Sequence, residues 1–146
     1  MSTRTLRHTT ALACAAAVLA PGCGGDEDKP RTDKEQIAAA ITEFNRAFSK
    51  GDGEKTCKLI TDDFRNSIEL GHGESCERAV EREAGPEGSE RDQVRALGDA
   101  KVVNVQIIET VATGDFVGAG LDGGPPAQAQ RQDGRWLVSA TAWGSL

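Results

Sequence analysis

The apolar residues of this chain change their spacing twice, and each change marks a boundary. From Ala11 to Leu19 they form a short, alanine-rich run broken only by Cys14. From Ile37 onward they recur as Ile37, Ile41, Phe44 and Phe48, the spacing of one helical face. Thr32-Asp33-Lys34-Glu35 precedes that stripe and matches a capping box, in which hydroxyl and carboxylate satisfy each other's backbone amides. Gly51 and Gly53 are the expected stop. A second helical stretch over about 54–69 sets Cys57, Ile60, Phe64 and Ile68 on one side. Thr61-Asp62-Asp63 inside it reads as a fresh N-cap, so the stretch allows two short helices with a bend. Gly71-His72-Gly73 reads as a loop, and Ser75 as the cap of a third helix from Cys76 to about Ala84, stopped by Gly85-Pro86.

Beyond a polar stretch at 85–93, read as an exposed loop, the period becomes two. Lys101 to Ile108 alternates as a strand, with Val103, Val105 and Ile107 expected on one face. Thr113-Gly114-Asp115 suggests a turn and Phe116 to Leu121 a second strand. Asp122 to Pro126 reads as a loop and Ala127 to Arg131 as a third strand. Asp133-Gly134 is a hairpin signal before a fourth strand, Arg135 to about Ala142, with Trp136, Val138, Ala140 and Ala142 alternating. Helices first and an antiparallel meander second imply an α+β domain with helices packed on one face of the sheet.

The first segment has the layout of a secretory leader. Arg4 and Arg7 precede the apolar run, and no acid occurs before Asp26. The run falls short of the roughly 20 residues that a membrane helix needs. Its end, Ala20-Pro21-Gly22-Cys23, resembles the bacterial lipobox, although Ala20 and Pro21 depart from the usual leucine and small residue. That resemblance implies a signal peptide over 1–22, cleavage after Gly22 and acylation of Cys23, followed by a flexible tether over 23–32 and one domain over 33–146. A diacylglyceryl group holds a protein stably at a membrane where a single chain does not, so the membrane is the first expected partner, through Cys23. The alternative is an ordinary cleaved signal with an incidental cysteine.

Charge narrows the partners further. The chain carries 17 basic and 23 acidic residues, a net charge of −6, and loss of Arg4 and Arg7 with the leader leaves −8. Nucleic acid and anionic headgroups both require basic patches, so neither is an expected partner. The wealth of Ala, Gly, Arg and Asp with scarce Lys suggests a GC-rich genome such as an actinobacterium. With Cys14 discarded and Cys23 acylated, Cys57 and Cys76 remain in an oxidising compartment, where a disulfide is expected. Closing a loop of about 20 residues is worth roughly 3 kcal/mol. Two alternatives stay open: buried free thiols, or a metal site with His72, which lies four residues before Cys76, completed by Asp62, Asp63 or Glu74.

The order of elements resembles the nuclear transport factor 2-like superfamily, the SnoaL-like or cystatin-like cone. The likeness rests on Phe44-Asn45-Arg46-Ala47-Phe48-Ser49-Lys50-Gly51-Asp52, Cys57-Lys58-Leu59-Ile60-Thr61, Ser75-Cys76-Glu77 and Asp133-Gly134-Arg135-Trp136-Leu137-Val138, over about residues 33–143. It implies helices packed into a curved antiparallel sheet. Ala127 and Ala129 are small where that family often has larger residues, which implies a shallow cone or one filled from elsewhere. The superfamily contains isomerases, dehydratases and hydrolases beside binding domains, so the site must decide. The mature chain has one histidine, His72, and no tyrosine, so a ketosteroid-isomerase-like pairing of acid and tyrosine cannot be assembled. No GxSxG, P-loop, HExxH or CxxC occurs. The expectation is therefore a non-catalytic binding domain with no cofactor, for a small apolar ligand or an envelope protein. A small-molecule enzyme of the same fold and a dimerisation module, with a homodimer through the outer sheet face, are the alternatives.

Overall fold

Thr32 behaves as a capping residue. Its Oγ1 accepts from the Glu35 amide at 3.3 Å, and the Glu35 carboxylate accepts from the Thr32 amide at 2.7 Å. From this cap α1 runs over Asp33–Ser49, burying Ile37, Ile41, Phe44 and Phe48. The structure is a computed structural model that describes residues 31–84, 91–118, 120 and 124–141. The leader, Cys23, most of the tether, the Gly85-Pro86 stop, Leu121, Ala142 and Trp143 lie outside the described residues.

The bend alternative holds for the second helical stretch: α2 covers Gly53–Lys58 and α3 covers Asp62–His72. Thr61 caps α3 through its hydroxyl, which accepts from the Phe64 amide at 3.3 Å. The Gly71-His72-Gly73 loop is corrected. The helix continues through Gly71 and His72, and Gly73 ends it in the left-handed conformation at φ 68°, which glycine adopts without steric cost. α4 follows over Cys76–Ala84. A further helix, α5, covers Arg91–Asp99, where an exposed loop was expected up to residue 93. Val94 and Leu97 are its large buried residues, too few to display a period in the sequence.

Strands β1 (Lys101–Ile108), β2 (Val111–Val117), β3 (Ala127–Gln132) and β4 (Arg135–Ala140) form one antiparallel sheet in the order β1-β2-β3-β4. The domain is thus α+β, with α1 packed against β1, β3 and β4. Asp133 and Gly134 both have positive φ, as a tight two-residue hairpin turn requires. The turn expected at Thr113-Gly114-Asp115 lies instead at Glu109 and Thr110, with Glu109 at φ 56°. Residues 113–115 belong to β2, whose Ala112, Gly114 and Phe116 face inward. Two of those three are too small to reveal the alternation.

The face expected for β1 holds for Val105 and Ile107, which pack against the core, and is corrected at Val103. Val103 pairs with Asp115, and the next aligned pair is Gln106 with Thr113, so two residues of β1 oppose Gly114 alone. This is a β-bulge. Asn104 takes the positive φ of 52° that asparagine tolerates, and its Nδ2 donates to Asp115 Oδ2 at 3.1 Å. The bulge reverses the alternation: Val102, Val105 and Ile107 pack against the core, while Val103 shares the Asp115 side. Gly114 makes room for it, because a Cβ there would stand 2.7 Å from Val102 Cγ1.

Gly114→Ala is therefore expected to lower stability by about 1–3 kcal/mol, the usual range for an overpacked core. Combined with Val102→Ala, it should cost less than the two single substitutions added, because the clashing methyl is gone. Urea unfolding of the four proteins checks this, and simple additivity would show that the contact does not set the bulge.

Candidate functional site

The most constrained region of the molecule lies where α2 meets α4. The sulfurs of Cys57 and Cys76 are bonded, across a Cα separation of 6.2 Å and 19 positions of sequence. Both residues are buried. The bond ties α2 to the first residue of α4, and Gly53 lets the two elements approach. A Cβ on Gly53 would lie 2.5 Å from the Glu77 carbonyl oxygen. Arg65 of α3 closes the group by donating from Nη2 to the Cys57 carbonyl at 2.5 Å.

This helical cluster is joined to the sheet by backbone hydrogen bonds. The linker between α2 and α3 runs parallel to β4: the Thr61 amide donates to Val138 O at 2.9 Å, and the Val138 amide donates to Leu59 O at 2.9 Å. Beside Val138, then, the β4 edge is not open. Asp62, at the start of α3, accepts from Gln132 Nε2 at 2.5 Å and adds a side-chain link to the end of β3.

A metal site around His72 is not assembled. Both sulfurs are used in the disulfide, and the His72 ring lies against a cation, with Nδ1 2.7 Å from Arg82 Nη2. Arg82 also pairs with Glu74 and, at 3.0 Å, with Glu83. Asp62 is engaged by Gln132, as above. Among the described residues no three His, Cys, Asp or Glu side chains converge as metal ligands. The arrangement around His72 is a polar clamp between α3 and α4, and it leaves His72 half-buried rather than exposed in a loop.

A groove of about 410 Å³ lies on the outer side of α1, lined by Ala38, Ala39, Thr42, Glu43 and Arg46 with Lys55 of α2. Lys55 and Glu43 form an ion pair of 2.9 Å across its wall. Both side chains are more than half exposed, so the pair adds little to stability. Exposed apolar side chains lie elsewhere, at Leu70 on α3 and at Ile108 and Val111, which flank the β1–β2 turn. On the opposite side of α1 the stripe meets Ala112, Ala127, Ala129, Trp136 and Val138 of the sheet in one continuous buried cluster.

Among the described residues, the buried polar or charged ones are Asn45, Thr56 and Thr61, none of them ionisable. Thr56 donates to Asp52 O at 2.6 Å, and Thr61 caps α3. Asn45 stands apart: it is fully buried, and neither its Oδ1 nor its Nδ2 has a partner. The pattern held a sign of this, since Asn45 falls four residues after Ile41 and eight after Ile37, beside the apolar stripe. Trp136 likewise buries Nε1 without a partner.

Two exposed side chains are perturbed electrostatically. Lys58 is held above the ordinary lysine value by its hydrogen bond to Glu54, at 2.5 Å, and by the charge of that carboxylate. Glu77 is held below the ordinary glutamate value, first by its own backbone amide and then by a hydrogen bond from Ser75, at the N-terminus of α4. Comparison with family models, with curated proteins and with solved structures finds no match to this chain.

The depressed Glu77 carboxyl stabilises the fold when ionised. That contribution is complete above the unfolded-state value and is lost as pH falls through the lower folded-state value. Glu77→Gln should therefore melt slightly below the parent at pH 7, with the gap closing towards pH 3. Thermal unfolding across that range checks it, and a gap that stayed constant with pH would show that the ionised carboxylate is not responsible.

Proposed function

We propose that this chain is a lipid-anchored extracytoplasmic domain, of nuclear transport factor 2-like architecture, that recognises a partner at its surface without catalysing a reaction. The observation that carries the reading is the Cys57–Cys76 bond. Of the four cysteines, these are the two that survive removal of a leader and acylation of Cys23, and a buried disulfide persists where the surroundings are oxidising. Arg4, Arg7, the apolar run to Leu19 and Gly22-Cys23 supply the matching address.

The absence of catalysis in this reading has its own support. A general acid or base is tuned by burial or by a close charge, and among the described residues no ionisable side chain is buried. Surface recognition is favoured over an internal apolar ligand, because the α1 stripe and the inward sheet residues already bury one another. The architecture is supported by the order of helices before a four-stranded antiparallel meander, with α1 packed across it. A net charge of −8 after loss of the leader favours a partner other than nucleic acid.

The test is chemical. Cells fed an alkyne-bearing palmitate analogue should label the parent protein in the membrane fraction and leave Cys23→Ala unlabelled. Intact-mass analysis of the mature protein should find an acylated N-terminal Cys23 and no uptake of alkylating reagent before reduction. A native product that keeps its initiator methionine, lacks fatty acid and takes up two equivalents of reagent would overturn both the address and the bridge.

A further inference from the structure

We infer that α5 is a latch, able to undock from α1 while the rest of the domain stays folded, and that the buried amide of Asn45 keeps its hold weak. The inference does not depend on the proposed function. It starts from the 0% exposure of Asn45 and the lack of any partner for its amide oxygen or nitrogen. A carboxamide buried in this way retains its whole desolvation penalty, and contact with water relieves it.

Helical geometry indicates where that relief would come from. Ser49 lies four residues after Asn45, on the same face of α1. A Cβ on Gly98 would overlap Ser49 Oγ, so α5 crosses α1 at that face. Asn45 therefore sits on the side of α1 that α5 covers, and lifting α5 opens it to water.

α5 is also the helix least able to hold itself. It has nine residues, below the length at which a helix persists alone in water. Gly98 lies inside it, a poor helix former retained by the close crossing. Asp99 stands at the negative end of the helix dipole, and no cation occupies the last turn. Among the described residues, what fastens α5 is the burial of Val94, Leu97 and, just beyond it, Ala100. The other short helices have more. α2 is covalently joined to α4. α3 has a threonine cap at one end and a glycine cap at the other, and its linker to α2 is hydrogen-bonded to β4. α5 lies outside the loop that the disulfide closes.

Hydrogen–deuterium exchange of the full-length protein, read by mass spectrometry, tests the latch. The α5 amides should exchange at least about tenfold faster than those of α1 and β3, as expected for a unit that opens on its own. Asn45→Leu, which keeps the branched skeleton and removes the amide, should slow α5 exchange about tenfold and leave β3 and β4 unchanged. Exchange of α5 in step with α1, or no slowing in Asn45→Leu, would overturn the inference. If Asn45→Leu does not fold, Val94→Ala serves instead. It should speed exchange in α5 alone, whereas equal acceleration across α1 and the sheet would make α5 part of the global unit and end the proposal.

Discussion

Neither the apolar stripe of α1 nor the inward face of the sheet can be removed from water by its own element, and the domain depends on each burying the other. Ile37, Ile41, Phe44 and Phe48 bring the volume, with Phe44 and Phe48 stacked at 5.9 Å between ring centroids. The sheet answers largely with small residues: Ala112, Gly114, Ala127 and Ala129 beside Phe116, Trp136 and Val138. Small residues opposite large ones let a helix and a sheet interdigitate at crystal-like density. A sheet lined with larger side chains would hold α1 further away. The small Ala127 and Ala129 of β3 are thus matched by bulk from the helix.

The remaining helices depend on this layer and reinforce it at one edge. The α2–α3 linker pairs with Val138, so the helical cluster is hydrogen-bonded to β4 rather than merely packed beside it. The disulfide then fixes α4 to α2, and Gly53 permits the approach that the bond needs. By the loop-entropy estimate, a bridge closing about 20 residues contributes roughly 3 kcal/mol, a large fraction of the 5–15 kcal/mol typical of a domain. Most of that gain would fall on α2, α3 and α4. Among the described residues, those around α5 have no comparable fastening, so stability is distributed unevenly along them.

Much of this was legible before the fold was known, and the failures have physical causes. α1 could be read because its cap and its stripe point to the same element. The bend at Thr61 and the Asp133-Gly134 turn carried their own chemistry. β2 was misplaced because Ala112 and Gly114 face the core without looking apolar, and Thr113-Gly114-Asp115 has the composition of a turn. On β1, Val105 and Ile107 face the core as expected, but Val103 does not, because one residue at positive φ, Asn104, shifts the alternation by one and leaves no mark on composition. α5 was missed because two anchors, Val94 and Leu97, are too few to establish a period. Among the candidate site residues, the pairing of Cys57 with Cys76 followed from accounting for the other two cysteines. Asn45 was passed over, because a polar residue beside an apolar stripe is ordinarily a boundary residue, and only its surroundings reveal that it is buried.

Among the described residues no ionisable side chain is buried, and this bears on how they are protonated. A catalytic carboxylate or imidazole gains its unusual protonation from loss of water or from a close charge held in low dielectric. Here the described ionisable residues all keep part of their surface in solvent, where such effects are screened, although Arg65 Nε and His72 Nε2 are themselves covered. The His72 clamp illustrates this: its partners, Arg82, Glu74 and Glu83, are arranged as mutual neighbours that join α3 to α4, not as groups converging on open space. Exposed apolar side chains lie at Leu70 on α3 and at Ile108 and Val111 beside the β1–β2 turn. These surfaces belong to elements held by the core, while α5 lies against α1 across an amide that gains nothing from being covered. A change in contacts that loosened α5 would uncover Val94 and Leu97 with part of α1 while the layer of α1 on the sheet stays in place, and this gives the domain a way to vary its surface.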